Sequence, residues 1–367
     1  MSEVLDELTF LDELVGDRAG DWDVAGELPA ELLRKLGAMG ILCAEVPSKF
    51  GGLGASSLRN GELTAHTGAL CSSLRSVMTS QGIAATAVRR FGDRGQRQRY
   101  LAELTGGRLA AVGFSEPGAG SDLAAMTTRV RPDGGSVVVT GEKRWVTGAR
   151  YADLLLILGR HGDDAAAVVV PADTPGVRVE PVPAPMGCRA AGHARVVLDD
   201  VRLPADAVLG GGRQPLSLLF TTALSYGRMS IAWGCAGIVR ACLRAAAAHA
   251  REREQSGKPL GEHQLVAGHL ADLYVAEEVV TQVCRHASAL QDTGSPEQAV
   301  AAVLAKHVGA THAARAAATA VQVLASWGAG DGHVVARAYR DAKLMEVIEG
   351  SNEISRLVLA RHVLDNA

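Results

Sequence analysis

From Leu5 to about Leu104, apolar positions recur at helical spacing. Leu28, Leu32, Leu33, Leu36 and Met39 share one face, as do Ala87, Val88 and Phe91. Such faces pack against neighbouring elements, so this region is expected to be helical. Gly51-Gly52 and Gly106-Gly107 interrupt the pattern, and the segment from Ser48 to Gly54 reads as a loop between helices.

From about Arg108 to Leu209 the texture changes to short β-branched or aliphatic runs. They are Val137-Val138-Val139-Thr140, Leu154 to Leu158, Ala167 to Val170 and Arg195 to Leu198. Turn residues such as Pro132-Asp133-Gly134-Gly135 and Pro171-Ala172-Asp173 separate them. No long helical crossover intervenes, which disfavours a parallel βαβ sheet and favours an antiparallel barrel or sandwich.

Helical spacing returns at Gln214 and continues to the end. Val266, Leu270 and Leu273, then Val280, Cys284 and Ala287, repeat at intervals of four and three. Gly294-Ser295-Pro296 separates two long helices, with Pro296 placed at a helix start. Long Ala-rich helices suit a four-helix bundle. The expected fold is therefore α+β and multidomain. Residues 1–107 form an N-terminal helical domain, 108–212 a central antiparallel β-barrel or sandwich, and 213–367 a C-terminal four-helix bundle.

Composition narrows the function classes. A chain of 367 residues exceeds what one core organises, and 47% hydrophobic residues are enough for several packed layers. Arg outnumbers Lys, but the net charge is −3 and no basic stripe is interleaved with aromatics, so no nucleic-acid partner is expected. The six cysteines (43, 71, 188, 235, 242 and 284) never fall at C-x-x-C spacing, and most sit in Ala/Leu/Val-rich context. They read as small buried hydrophobes, with neither a disulfide framework nor a metal site. The acidic stretch from Met1 to Glu13 is no signal peptide, and the apolar run from Met229 to Val239, flanked by Arg228 and Arg240, is too short to span a bilayer. A cytoplasmic protein without a membrane partner is expected.

Three stretches carry candidate chemistry. In Ser115-Glu116-Pro117-Gly118-Ala119-Gly120-Ser121-Asp122, glycines let backbone amides approach an anion and two serines add hydroxyl donors. The spacing does not match G-x-G-x-x-G, and an ordinary turn leaving a strand has the same composition. Trp145-Val146-Thr147-Gly148 places an indole beside a hydroxyl, which suits a planar cofactor as well as a core or rim position. In Ile348-Glu349-Gly350-Ser351, a poorly solvated carboxylate would act as a general base near neutral pH, with Ser351 as a helix N-cap. Glu349 by itself fits an exposed capping role better than a catalytic one.

Taken together, these stretches resemble the acyl-CoA dehydrogenase family over nearly the whole chain. Ser115 to Asp122 resembles its T-E-P-x-x-G-S-D segment, and Lys143-Arg144-Trp145-Val146-Thr147 its K-x-W-I-T strand. Met186-Gly187-Cys188-Arg189 and Asp200-Val201-Arg202-Leu203-Pro204 are similar to its G-x-R and D-V-x-V-P elements. Arg253 to Gln264 resembles R-x-x-F-G-x-x-x-x-x-x-Q, Arg337 to Lys343 resembles R-x-x-R-D-A-K, and Ile348 to Ser351 its E-G-T signature.

The resemblance implies FAD as cofactor and Glu349 as the catalytic base. It implies that Phe114, Ser115, Gly120 and Ser121 contact the flavin or its phosphates, and that Trp145, Val146 and Thr147 lie against the isoalloxazine, Thr147 near N5. Arg253, Gln264, Gln322 and Gly328 would reach the FAD of a neighbouring subunit, and Ser351 and Glu353 would help hold the cofactor. Ser121, Arg228 and Gly350 would meet the substrate. A homodimer or homotetramer is implied. Departures are present as well: Gly148-Ala149 stands where the family has Asn or Ser then Gly, Ser256 where it has Phe, and Ala325-Ser326 where it has Gly-Gly. Ser225, three residues before Arg228, is neutral where acidic residues often help bind pantetheine, so an acyl carrier protein competes with CoA as the carrier.

The implied reaction is α,β-dehydrogenation of a small acyl thioester, with two hydrogen bonds to the thioester oxygen that are typically worth ~3 kcal/mol each in the barrier. Within the family, the short chain resembles the acyl-carrier-protein dehydrogenases of polyketide pathways, in particular those serving the methoxymalonyl extender unit. The resemblance leaves the electron acceptor open. Two other readings stand beside this one: a flavin-dependent oxidase or hydroxylase on the same fold, and a non-catalytic binding relative. The intact Glu-Gly-Ser argues against the former.

Overall fold

The structure is a computed structural model that describes residues 2–212 and 214–366. Residues 1, 213 and 367, at which expected segment limits fall, lie outside the described residues. Six helices come first: α1 (Ser2–Val15), α2 (Ala19–Ala25), α3 (Ala30–Ala38), α4 (Ser57–Leu70), α5 (Ser72–Phe91) and α6 (Arg94–Thr105). Their boundaries follow from local chemistry. Asp93 caps α6 in a reciprocal box with Gln96, Gln96 N–H to Asp93 Oδ1 at 2.8 Å and Asp93 N–H to Gln96 Oε1 at 2.9 Å. Gln96 Nε2 then donates to the carbonyls of Asp206 and Val208, each at 2.8 Å, tying the helical layer to the end of the β region.

The strands are β1 (Ala110–Gly113), β2 (Arg129–Asp133), β3 (Ser136–Val146), β4 (Leu154–His161), β5 (Asp164–Pro171), β6 (Val177–Pro181) and β7 (Ala194–Pro204). They form one curled sheet in the order β1-β4-β2-β3-β7-β6, with β5 on the other side of β4. Pairing is antiparallel for β2–β3, β3–β7, β6–β7 and β4–β5. The expected antiparallel region is thus present with one refinement, since β4 also has parallel neighbours: β1, with Ala110 opposite Leu154, and β2, at Arg129 opposite Arg160. The unbroken apolar runs in β4 and β5 serve two cores at once. Leu155, Ile157, Val168 and Val170 point into the curled sheet, while Leu154, Leu156, Leu158 and Val169 pack with side chains of α5 and α6.

The last third of the chain contains α7 (Leu216–Glu252), α8 (Gln264–Asp292), α9 (Gln298–Leu324), α10 (Val334–Met345) and α11 (Asn352–Asp365). A small hairpin of β8 (Glu254–Gln255) and β9 (Lys258–Pro259) joins α7 to α8. Small side chains let these helices close up: Cys235, Val239, Ala246, Ala310, Ala313, Ala317 and Ala320 are all fully buried between α7 and α9. All six cysteines are free and buried, and burial pushes the Cys43, Cys235 and Cys242 thiols up to about 12. The run Met229–Val239 lies within α7, whose 37 residues are long and apolar enough to cross a membrane. The most apolar window of α7 is instead 61% buried inside the protein.

Candidate active site

Two clusters of expected residues come together on either side of α5. The first lies at the end of β3. Register shifts interrupt the β3–β7 ladder between Val139 and Gly141 and between Lys143 and Val146. The second shift falls at Trp145, whose φ of 55° and 57% exposure turn the indole out of the sheet. Val146 is buried beneath it. The Thr147 hydroxyl lies 3.2 Å from His193 Nδ1, and the His193 ring meets Trp145 edge-on at 5.9 Å. Ser80 on α5 donates to the Thr147 carbonyl at 3.0 Å.

The Ser115–Asp122 stretch joins this cluster at one end. Arg144 N–H donates to the Ser115 carbonyl at 2.8 Å, and the half-buried Phe114 packs on Phe220 with ring centroids 5.7 Å apart. Beyond a tight turn closed by Glu116 and Ala119, Gly120 and Ser121 are exposed, and a side chain at Gly120 would meet open space. A buried ion pair anchors the turn: Lys143 Nζ donates to Glu116 Oε1 at 2.7 Å, with side chains 0% and 1% exposed. Burial alone would raise the Glu116 carboxyl, but Lys143 and donors from Thr127 and Thr128 outweigh it and hold the carboxyl at about 2. The turned-out indole, the Thr147 hydroxyl and an open glycine loop fit a flat cofactor with a phosphate-bearing tail.

The second cluster surrounds Glu349, in the turn between α10 and α11. Glu349 has a φ of 55° and Gly350 one of 89°, so the chain bends back within two residues. Ser351 caps α11 as expected, with Ile354 N–H donating to its hydroxyl at 3.3 Å, and Glu353 sits exposed in the first turn. Arg228 on α7 donates from Nε to the Glu349 carbonyl at 3.3 Å. Fully buried Lys306 on α9 donates to the Gly350 carbonyl at 2.7 Å. The turn is therefore fixed from two helices.

Although Glu349 as a residue is only half-buried, its Oε2 is inaccessible to solvent and has no hydrogen-bond partner among the described residues. Burial raises its carboxyl from 4.5 to about 7 against the pull of Arg228, Lys306 and Arg75. The Glu349 N–H likewise donates to no acceptor among the described residues. A carboxylate held this way is suited to take a proton near neutral pH.

The remaining expected residues lie elsewhere. Arg253 closes the far end of α7, about 38 Å from Arg228 at helical rise. Trp327 packs there on His249 with ring centroids 6.3 Å apart, next to buried Gly328. Gln322, in the last turn of α9, and Gln264, at the start of α8, are exposed. Within one chain these four do not reach Glu349 or Trp145. Arg75, His193 and Lys306 escaped the sequence reading. His193 and Lys306 stand in Ala-rich segments and Arg75 in a Ser-rich one, and only the fold shows what each faces.

Models of the acyl-CoA dehydrogenase N-terminal, middle and C-terminal domains match residues 8–108, 111–201 and 218–364. The probable acyl-CoA dehydrogenase YngJ of Bacillus subtilis is 34% identical over 97% of this chain and 95% of its own length. The solved structure of FkbI, for biosynthesis of the methoxymalonyl extender unit of the FK520 polyketide, superposes with a TM-score of 0.94 at 61% identity, covering 98% of this chain and 99% of FkbI. A glutaryl-CoA dehydrogenase from Mycobacterium smegmatis in complex with FADH2 superposes with a TM-score of 0.92 at 26% identity, covering 99% and 95% of the two chains.

Proposed function

The chain belongs to the acyl-CoA dehydrogenase family, and from that premise we propose that it is an FAD-dependent dehydrogenase of a small acyl thioester with Glu349 as its base. One observation carries the reading: the unpartnered, solvent-inaccessible Oε2 of Glu349, raised to about 7 on a turn pinned by Arg228 and Lys306. Such a carboxylate is ionised often enough to accept an α-proton and basic enough to hold it.

The residues of the chain divide the work. Glu349 Oε2 removes the α-proton, and the free Glu349 N–H offers a donor to the thioester oxygen as charge builds there. Trp145, Val146 and Thr147 would hold the isoalloxazine, with Phe114, Ser115, Gly120 and Ser121 along its edge and phosphates and Ser351 and Glu353 toward its chain. Bound FAD supplies the acceptor for the β-hydride. Arg253, Gln264, Gln322 and Gly328 would serve the cofactor of a neighbouring subunit. Exposed Leu265, Tyr274 and Val275 on α8 and Leu357, Val363 and Leu364 on α11 support assembly into a homodimer or homotetramer.

The extensive match to FkbI supports a place in polyketide extender-unit biosynthesis, and within that reading we take an acyl carrier protein, not CoA, as the carrier. Ser225 agrees with this: its hydroxyl donates to the Thr221 carbonyl at 2.7 Å, so no acidic group stands three residues before Arg228. Free thiols at every cysteine suit a reducing cytoplasm. The test is anaerobic titration of the yellow holoenzyme with the same acyl group on carrier protein and on CoA. Flavin bleaching by the carrier-protein thioester is expected. No bleaching by either thioester would refute the reading, and rapid reoxidation in air would indicate an oxidase.

A further inference from the structure

His193 stands in a segment that is tied to the end of β3 by the backbone. Gly148 N–H donates to the Ala191 carbonyl at 2.9 Å, and Arg150 N–H to the Gly192 carbonyl at 3.2 Å. Gly192 is itself seated on Tyr151, since a Cβ there would stand 2.5 Å from a ring carbon. The imidazole therefore enters the cluster around Thr147 at a fixed place. It meets Trp145 edge-on at 5.9 Å, and Nδ1 lies 3.2 Å from Thr147 Oγ1. Nε2 is buried and has no partner among the described residues.

The hydrogens of this pair can be counted. Burial, helped by the Arg75 cation, pushes the His193 ring down to about 4, so at neutral pH the ring carries a single N–H. With the hydrogen on Nδ1, the ring donates to Thr147 Oγ1 and Nε2 is a bare acceptor. With it on Nε2, the Thr147 hydroxyl donates to Nδ1 and a buried N–H is left without an acceptor. The orphaned N–H is the rarer defect in folded proteins, which puts the hydrogen on Nδ1. Thr147 Oγ1 then accepts from His193 and must send its own hydrogen elsewhere, and no second partner for it stands among the described residues. Thr147 is half-buried beside the exposed Trp145 indole, where a bound ring would supply the acceptor. The residue cannot turn away, because Ser80 holds its carbonyl at 3.0 Å while accepting the Val112 N–H at 3.2 Å.

Resting on the FAD reading, we propose that His193 is a positioning residue of the flavin site, whose Nδ1–H fixes the Thr147 hydroxyl as a donor to the isoalloxazine. Ser80 and His193 hold Thr147 at both of its polar groups, so the donor is set before the cofactor arrives.

The test uses holoenzymes carrying His193→Phe, His193→Asn, Thr147→Val and the His193→Phe, Thr147→Val pair. Phenylalanine keeps the ring edge against Trp145 and removes the donor, whereas asparagine returns an amide N–H near the place of Nδ1–H. Two quantities are read: the FAD dissociation constant, and the N5 resonance of labelled FAD by nitrogen NMR. That resonance moves upfield when N5, which the family resemblance sets beside Thr147, accepts a hydrogen bond. His193→Phe is expected to bind FAD roughly tenfold more weakly with N5 moved downfield, and His193→Asn to recover most of both. Once Thr147 is valine, His193→Phe should cost nothing further. Tighter FAD or an upfield N5 in His193→Phe would overturn the proposal, since the hydroxyl would then be donating to the ring in wild type. Additive losses in the paired variant would overturn it as well. Should His193→Phe fail to fold, the imidazole nitrogen resonances of the wild-type holoenzyme decide: hydrogen on Nδ1 supports the proposal and hydrogen on Nε2 overturns it. A wild-type protein that binds no FAD removes the flavin reading and the proposal together; a flavoprotein in which His193→Phe is silent removes the proposal alone.

Discussion

The Glu349 carboxylate closes over Gly227: a Cβ built at Gly227 would stand 2.3 Å from Oε2. The base is therefore seated by an absence of side chain on α7. Gly227→Ala should push the carboxylate aside while leaving the flavin cluster intact, since that cluster lies on β3. Flavin reduction in rapid mixing is expected to slow by about 100-fold, because a displacement near 1 Å is enough for such a loss. An unchanged rate would mean that Glu349 is not the base.

Glu349→Gln keeps the shape and removes the proton acceptor. Flavin content should hold and substrate bleaching should drop by roughly 10³-fold. Its stability has a signature too. The folded carboxyl sits at about 7 against an ordinary 4.5, so the folded state holds the extra proton. That advantage is present below pH 4.5 and lost as pH rises through about 7. The melting temperature of Glu349→Gln relative to wild type should therefore climb across this window.

The same shift sets the pH profile of the reaction. The rate of flavin reduction under anaerobic conditions should rise with pH and level off, with a midpoint near the value of about 7. A midpoint near 4.5 would mean that the carboxylate is solvated in the working enzyme.

Lys143→Met strands Glu116 in an apolar pocket. Removing one partner of a buried pair costs about 3–5 kcal/mol, and chemical denaturation should show it along with reduced flavin content. The double variant Glu116→Leu with Lys143→Met should recover much of the loss. In wild type the Glu116 carboxyl is held at about 2, so its contribution is present above pH 4.5 and disappears as pH falls through about 2.

Ala325 occupies φ 50° and ψ −132°, a conformation that suits glycine, at a position where the family resemblance implies glycine. Ala325→Gly should stabilise the chain by about 1 kcal/mol, read as a modest rise in melting temperature. Ser256, another of the departures, takes φ 51° ahead of Gly257 at 78° and makes the tight β8–β9 turn.

Much of this was legible in the sequence because periodicity reports local structure. The helical face around Leu32 and Leu36 and the strands at Val137, Leu154, Ala167 and Arg195 all lie where their spacing puts them. Strands β1, β2 and β6 were harder, since four or five residues give alternation little room to show. Ser351 was readable as a helix cap, and Glu349 from the resemblance of Ile348 to Ser351 to the family's E-G-T signature. Arg75, Lys143 and Lys306 had no such signal as buried groups, because charged residues ordinarily mark the surface and only long-range packing reverses that expectation. His193 gains its meaning only from Thr147, 46 positions away in the chain.

The 37-residue α7 has a last consequence. It carries Arg228 beside the base in its first half and is capped by Arg253 at its far end, on a rod too stiff and too long to fold back. If Arg253 serves a neighbour, each chain holds two unequal halves of different sites. Mixing Glu349→Gln chains with Arg253→Ala chains should then yield some complete sites from two defective parents. The recovered activity would count how many subunits cooperate in one turnover-competent unit.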